Sequence, residues 1–304
     1  MSSKSKKITR RQFLVRNSKT AAALVTAASL TSCSTLRTNT ARKPCSTMNF
    51  GLVTYLWASK WDLPTLISNC EKTGVFGVEL RTTHNHGVEP NLNKSQRDDV
   101  KQRFADTPVT LVGLGSDERF DNPDPAVLNK AIEATKAFVK LSQDVGATGV
   151  KVKPNSFQKD VPREKTIDQI GKSLNIVASY AADYNQQIRL EVHGQCAEPP
   201  IIKAIMDIAD NTNVFVCWNS NKQDLSGKGL EYNFNLLKDR FGATAHVHDL
   251  NAADYPYQQL INLFVKMDYT GWLMLEASTK PQNYITALIE QRNIFEKLLA
   301  KALT

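Results

Sequence analysis

The feature that most constrains the fold of this chain is the alternation of short apolar segments with longer amphipathic ones. From Asn49 onward, eight segments have the length and composition of buried strands, and stretches with helical periodicity lie between them. No proline interrupts any of the eight. The predicted strands are residues 50–55, 77–80, 110–114, 149–153, 188–192, 214–218, 243–247 and 271–276.

The amphipathic stretches predict helices, most clearly over residues 126–145, 163–184 and 282–302. One strand and one helix together take about 25 to 35 residues, the length of a βα unit. Eight such units indicate an α/β protein with a closed (β/α)8 TIM barrel, formed as a single domain by residues 49–304. An open doubly wound sheet would need a glycine-rich loop after its first strand, and residues 53–57 contain no glycine.

The positive charge of the chain is concentrated before the predicted barrel. The formal net charge is +8, but ten of the 38 lysines and arginines lie in the first 45 residues, which contain no acidic residue. The rest of the chain has 28 basic and 30 acidic residues, so the barrel itself is slightly acidic. Because a nucleic-acid-binding domain carries its basic surface on the folded part, we expect no nucleic-acid partner.

The first 33 residues have the pattern of an export signal. Arg10 and Arg11, followed by Phe13, resemble a twin-arginine signal. The alanine-rich run at residues 20–30 is shorter than the roughly 20 residues that cross a bilayer, and it fits the apolar part of a signal peptide. A short amphipathic helix in the cytosol is the alternative interpretation.

The end of this segment resembles a bacterial lipobox. Leu30-Thr31-Ser32-Cys33 would be cleaved before Cys33, whose thiol would take the lipid. Residues 34–48 would then be a flexible tether. We therefore expect an exported protein, periplasmic or at the cell envelope, that touches the membrane only through this lipid anchor. Cleavage and release without a lipid is the alternative.

Acidic residues and histidines collect at the ends of the predicted strands, where barrels of this kind carry their functional side chains. Strand five ends in Glu191 and His193, strand seven in His246 and His248, and strand eight in Glu276. Residues two apart share one strand face. A buried carboxylate needs a compensating cation, so these strand ends predict a metal or a basic partner at one mouth. A salt bridge to an arginine and structural histidines are the alternatives.

Strand two and the loop after it carry a second polar group. Glu79 and Arg81 share a face, and His84 and His86 follow in the loop. The functional interpretation is that these side chains contact substrate hydroxyls or supply a proton. The alternative is an exposed polar loop in which Arg81 pairs with Glu79.

Two further sets of residues leave both interpretations open. Lys151 and Lys153 share one face of strand four, where they would neutralise an acidic group of a substrate or pair with the glutamates. Trp57 and Trp218 would stack on a sugar ring or simply pack in the core.

The arrangement of strand ends resembles the xylose isomerase-like barrel superfamily, which includes sugar-phosphate isomerases, ketose 3-epimerases and endonuclease IV-like repair enzymes. The resemblance covers essentially the whole predicted barrel. In the epimerase branch, a metal is held by Glu, Asp, His and Glu on strands five to eight, and these positions fall on Glu191, Asn219, His248 and Glu276. Asn219 departs from the pattern, as does Lys222, which stands where a histidine usually follows. An Asn carbonyl can bind a divalent ion, but it adds no charge.

The resemblance implies a function. It implies a sugar isomerase or epimerase that uses a divalent ion (Mn, Mg, Zn or Co) and interconverts hydroxy-ketone sugars by proton transfer between Glu191 and Glu276. The implied partner is a small carbohydrate, and a homo-oligomer stays open. The predicted substrate contacts are His84, His86, Glu79, Arg81, Lys153, His193, Asn221, His246 and Trp57.

Two other functions fit the same pattern. A lyase or hydratase acting on 3-keto-glycosides would use the same carbanion chemistry at the same site. A non-catalytic, exported sugar-binding barrel would explain the loss of the Asp at position 219.

Overall fold

A computed structural model describes residues 47–304, in which eight strands alternate with eight α-helices. The strands are β1 Asn49–Val53, β2 Gly77–Arg81, β3 Thr110–Arg119, β4 Gly149–Lys153, β5 Gln187–Glu191, β6 Val214–Cys217, β7 Thr244–Val247 and β8 Trp272–Leu275. The helices are α1 Leu63–Thr73, α2 Lys94–Ala105, α3 Pro125–Asp144, α4 Arg163–Ala182, α5 Pro199–Ile208, α6 Leu230–Leu237, α7 Tyr257–Lys266 and α8 Tyr284–Ala302.

The eight strands form one parallel sheet that curves into a nearly closed barrel. Their order is β6-β5-β4-β3-β2-β1-β8-β7. The two ends of the sheet meet at isolated bridges, Val216 with Phe241 and Asn219 with His246. This confirms the predicted (β/α)8 TIM barrel.

Strand β3 extends beyond its predicted end at residue 114. It continues to Arg119, because Gly115 pairs with Lys151 and Arg119 pairs with Lys153 after an irregularity in the register. A Gly-Ser-Asp sequence favours a turn, so the sequence alone does not reveal this extension. The extension adds Asp117 to the mouth of the barrel.

Local signals in the sequence explain where many of the helices begin and end. The side chains of Asp62 and Asp124 accept hydrogen bonds from the first turns of α1 and α3, and a proline follows each of them within the first turn. Helix α1 ends at Gly74, which adopts the left-handed conformation (φ 69°) that glycine accepts without strain. Because the strands of the sheet run parallel, their carboxyl ends lie at the same rim.

The two faces of each strand have different environments. On β4, Val150 and Val152 are fully buried between the sheet and the helices, whereas Lys151 and Lys153 point into the barrel. The main apolar core therefore lies outside the barrel, under the helices. A much smaller apolar cluster, Val53, Val112 and Met274, lies within the barrel. The rest of the barrel interior at the carboxyl ends of the strands is free to hold polar groups.

The predicted export signal at residues 1–33, the lipid attachment at Cys33 and most of the tether at residues 34–48 lie outside the described residues. They stay predictions. Within residues 47–304, no helix is both long and apolar enough to cross a membrane.

Candidate active site

Three side chains that could hold a metal converge at the carboxyl ends of the strands. Glu191 ends β5, His246 lies on β7 and Glu276 directly follows β8. One oxygen or nitrogen of each lies within 4.8 Å of the others, and all three residues are buried. His246 Nδ1 lies 3.5 Å from Glu191 Oε1 and 3.5 Å from Glu276 Oε2. Glu191 and Glu276, which are 85 positions apart in the chain, thus belong to one buried centre.

Asn219 lies between the two carboxylates. Its amide nitrogen donates to Glu191 Oε1 at 2.9 Å and lies 3.3 Å from Glu276 Oε2. Its carbonyl oxygen is buried and has no hydrogen-bond partner. The structure therefore brings together three of the four predicted metal ligands, Glu191, Asn219 and Glu276.

The fourth predicted ligand, His248, lies higher in the mouth. It is half-buried, and its Nδ1 lies 3.1 Å from the backbone oxygen of Glu276. It lines a cavity of about 660 Å³ together with Ser220, Asn221 and Tyr257. His246 is the histidine that lies among the carboxylates, whereas the sequence analysis predicts it to contact the substrate and predicts His248 to bind the metal. Both histidines share one strand face, so a period of two residues does not show which depth the metal site takes.

A second row of charges supports this centre. His246 Nε2 lies 3.1 Å from Glu79 Oε1, and both residues are fully buried. Lys151 Nζ lies 2.6 Å from Glu191 Oε2, with 1% of each side chain exposed. Glu79 thus pairs with a histidine rather than with Arg81, and Lys151 pairs with a glutamate rather than facing the mouth.

The electrostatics of the centre keep its carboxylates ionised. Burial alone would raise the pKa of Glu191, but Lys151 and His246 outweigh it and hold that pKa well below its ordinary value. Burial and the neighbouring charge of Glu191 oppose the ionisation of Glu276, yet His246 and Lys151 still keep the pKa of Glu276 below its ordinary value. Both glutamates are therefore carboxylates at neutral pH, the form that binds cations and accepts protons.

The carboxylates also shift the pKa values of the two basic groups of the centre, Lys151 and His246, toward their charged forms. Although burial disfavours the ammonium group, the three glutamates raise the pKa of Lys151 above its usual value. Burial opposes the protonation of His246 as well, but Cys217 and Glu79 raise its pKa well above the usual value. His246 thus lies between two carboxylates, whose charge favours its protonated form.

A rim of charged residues lies one layer above this centre, nearer the solvent. Lys153 Nζ lies 2.7 Å from Asp117 Oδ1, and Arg81 Nη2 lies 3.7 Å from the same oxygen. His193 is half-buried, and its Nδ1 has no hydrogen-bond partner. Lys153, Arg81 and His193 lie two residues beyond Lys151, Glu79 and Glu191, respectively, and therefore about 6 to 7 Å nearer the solvent. The rim is placed to contact a substrate that reaches the centre.

The remaining predicted substrate contacts have mostly structural partners. Both ring nitrogens of His86 are engaged by the loop, since Nε2 bonds the Arg81 oxygen and Nδ1 accepts from the Val88 nitrogen. The amide nitrogen of Asn221 donates to the Val192 oxygen at 2.7 Å. His86 and Asn221 therefore hold the backbone of the mouth and leave neither His86 nitrogen nor that amide free for a sugar.

His84 and Trp57 lie beside the same mouth. His84 is half-buried between Arg81 and Thr54, and burial together with Arg81 lowers its pKa to about 4, so its ring is neutral at pH 7. Trp57 is buried, and its indole nitrogen donates to the Thr279 oxygen at 2.8 Å. Trp57 thereby joins the loop after β1 to the segment after β8.

Sequence reasoning missed two residues of the site. Asp117 was missed because β3 was predicted to end before it. Arg189 is fully buried below Glu191, and its guanidinium bonds Thr148 Oγ1 at 2.6 Å and Gln187 Oε1 at 2.8 Å. A signal for Arg189 was present, because it lies two residues before Glu191 and therefore shares its strand face.

The sequence pattern of the family described as "Xylose isomerase-like TIM barrel" matches residues 67–297. The chain belongs to the xylose isomerase-like TIM barrel family. The match includes every residue of the buried centre. No curated protein matches the sequence closely enough to indicate a function.

Several solved structures have a similar fold. A 3-keto-D-glucoside 4-epimerase of E. coli, YcjR, in its apo form has a TM-score of 0.70 at 11% identity, over 82% of this chain and 99% of that chain. An L-ribulose 3-epimerase has a TM-score of 0.70 at 13% identity, over 84% and 95%. The IOLI protein with a binding zinc atom has a TM-score of 0.70 at 16% identity, over 84% and 99%. At these identities, the likeness shows the fold alone.

Proposed function

We propose that this protein is a divalent-metal-dependent isomerase or epimerase of hydroxy-ketone sugars, with Glu191 and Glu276 as the proton-transferring pair. The observation that carries the proposal is the buried convergence of two ionised glutamates on one histidine nitrogen. Membership of the family and the epimerases among the similar structures support it.

The donor set fits a divalent ion. Glu191 Oε1, Glu276 Oε2 and His246 Nδ1 are within reach of one ion, and the buried Asn219 Oδ1 and His246 Nδ1 have no hydrogen-bond partner. The other ring nitrogen of His246 faces the Glu79 carboxylate, the outer-shell arrangement that orients metal-binding histidines. Glu191, His246, Glu276 and Asn219 would hold the ion, whose identity among Mn, Mg, Zn and Co is open.

A bound ion would polarise the sugar carbonyl and acidify the neighbouring C–H group. Glu191 and Glu276 do the proton transfer. Glu276 is the easier of the two to protonate, because the charge of Glu191 opposes its ionisation and because no lysine bonds it directly. Glu191 removes a proton from the substrate, and Glu276, once it has itself taken up a proton, returns one.

The rim positions the substrate above this pair. Lys153, Arg81 and His193 offer hydrogen-bond donors or acceptors one layer nearer the solvent, at the distance of a sugar ring from the carboxylates. The cavity lined by His248 and Ser220 lies beside the same mouth. It gives room for a substituent of the sugar.

The decisive experiment combines elemental analysis with an activity screen. The protein is expressed with Mn, Mg, Zn and Co supplied, and its bound metal is measured. It is then assayed in D₂O on ketoses and 3-keto-glycosides, and the products are followed by NMR. An isomerase or epimerase that works by proton transfer incorporates deuterium at the carbon that receives the returning proton, and Glu191→Gln and Glu276→Gln each abolish this incorporation. Glu133→Gln, an exposed residue of α3, is the matched control.

Other outcomes separate the alternatives. Release of an aglycone or of water from a 3-keto-glycoside would instead assign a lyase or hydratase at this site. Sugar binding without any exchange, in a protein that holds no metal, would assign a non-catalytic binding barrel. Activity that survives both substitutions would remove the proposed pair of glutamates.

We also propose that the barrel is exported through the twin-arginine signal and anchored by lipid at Cys33. The support is the sequence of residues 1–33 alone. Labelling with a radioactive fatty acid tests it, because the wild-type protein should carry the label in the membrane fraction and Cys33→Ala should not. A label retained by Cys33→Ala, or an unlabelled wild-type protein, would exclude the anchor.

A further inference from the structure

Lys151 lies inside the centre that is proposed to hold a metal. Its Nζ lies 2.6 Å from Glu191 Oε2, and 1% of its side chain is exposed. Glu191 is one of the three residues that could hold the ion. A cation of the protein itself is therefore bonded to one of the proposed metal ligands.

Asn219 gives the proposed ligand set one negative charge fewer than an Asp at this position would. Its amide group donates toward both Glu191 and Glu276, where an Asp would add a third carboxylate to the ligand set. The two remaining carboxylates are met by the ammonium of Lys151 on one side and by the imidazole of His246 between them. Lys151 therefore offsets one of the two carboxylate charges of the ligand set before any ion binds.

The fold makes room for Lys151 at this position. Gly115 of β3 faces it, and a Cβ at residue 115 would lie 3.4 Å from Lys151 Cε and 3.1 Å from Glu79 Oε1. A Cβ there would contact Lys151 at an ordinary distance but would press on the Glu79 carboxylate, so glycine keeps this part of the interior open. The placement of the ammonium group is thus accommodated by a neighbouring strand as well as by Glu191.

We propose that Lys151 competes with the divalent ion for Glu191 and thereby sets a low affinity for the metal. This inference rests on the proposed metal site, although it concerns binding and not turnover. An ion entering the centre must either displace Lys151 from Glu191 or bind Glu191 through Oε1 alone. In both cases it comes close to a buried positive charge, and like charges at such distances repel strongly in a water-poor interior.

The test is the affinity for Mn²⁺ of the full-length chain, measured by calorimetry and by electron paramagnetic resonance. Lys151→Met removes the charge and keeps most of the side-chain volume, and we expect it to bind Mn²⁺ at least about tenfold more tightly, which is about 1.4 kcal/mol. Lys153→Met is the matched control, since Lys153 lies on the same strand face but bonds Asp117. Its affinity should change by less than about twofold.

Lys151→Gln gives a second measurement if Lys151→Met does not fold, because Gln is neutral and can still donate to Glu191. It should also bind Mn²⁺ more tightly than the wild-type protein. Equal or weaker Mn²⁺ binding by the variant that folds, or no binding by wild type and variant alike, would overturn the inference. A rise in Mn²⁺ affinity in a protein that is inactive on every sugar would support it while refuting the proposed enzymatic function.

Discussion

The imidazole Nε2 of His246 lies 3.1 Å from Oε1 of Glu79, a carboxylate that has no contact with solvent. This pairing joins β7 to β2 across the barrel interior and leaves Nδ1 directed toward Glu191 and Glu276. It fixes which ring nitrogen faces the proposed metal.

Glu79→Gln should therefore weaken the binding of a divalent metal. Loss of such an outer-shell carboxylate typically lowers metal affinity 10- to 100-fold, because the histidine loses both its orientation and part of its basicity. Calorimetric titration with Mn²⁺ or Zn²⁺ measures the change, with Glu133→Gln as the surface control. An unchanged affinity would show that the pairing only packs the barrel.

The variants His246→Gln and His248→Gln distinguish the roles of the two histidines, His246 within β7 and His248 directly after it. Because His246 Nδ1 lies between the carboxylates and His248 Nδ1 lies beside the backbone oxygen of Glu276, we expect His246→Gln to lose bound metal more completely. Elemental analysis of the two purified variants gives the answer directly. The reverse order would return the ligand role to His248, as the family pattern implies.

Lys153→Met should raise the KM for the substrate severalfold and leave kcat nearly unchanged. Lys153 lies above the centre, and the loss of a contact that binds substrate and transition state equally appears in KM. Steady-state kinetics on the active sugar from the screen measures both constants, with Lys94→Met on the surface of α2 as the control. A fall in kcat with KM unchanged would place Lys153 in the chemical step.

Asp224 should make the stability of the protein depend on pH. It is fully buried and accepts a hydrogen bond from Tyr255 at 2.7 Å, and burial raises its pKa to about 7. The folded state therefore keeps a proton that the unfolded state loses above its ordinary pKa of 3.8. The free energy of unfolding should fall as the pH rises between these two values, by up to about 1.4 kcal/mol per pH unit.

Asp224→Asn isolates this effect, because the contributions of all other groups cancel in the comparison with wild type. Urea unfolding at pH 5, 6, 7 and 8 should show the variant gaining stability relative to wild type up to about pH 7, with no further gain above it. A constant difference across this range would mean that Asp224 is ionised throughout.

The sequence predicted the barrel well because its signals are local. Runs such as Gly149–Lys153 and the helices that follow them are recognisable one unit at a time, and every predicted strand overlaps an observed one. The extension of β3 to Arg119 escaped prediction because it depends on pairing with Lys153 of the next strand. The sequence of one strand by itself does not show how far it pairs with its neighbour.

The site was predictable to the level of the strand ends and no further. Alternation assigns Glu191 and His193, or His246 and His248, to one face, but it does not give their depth in the barrel. Lys151 meets Glu191 rather than a substrate because β4 and β5 are neighbours in the sheet, which neither strand shows by itself. The depth of a side chain in the barrel and the partner that it contacts are determined by tertiary packing.

The small apolar cluster within the barrel limits the route to the buried centre. Met274 lies two residues before Glu276 on the same face of β8, and it packs with Val53 and Val112. Together with Arg189 below Glu191, these side chains close the amino-terminal side of the interior. In the part of the chain that the structure describes, a ligand therefore reaches the glutamates from the carboxyl-terminal side of the barrel, and a large substituent of that ligand would remain outside the buried centre.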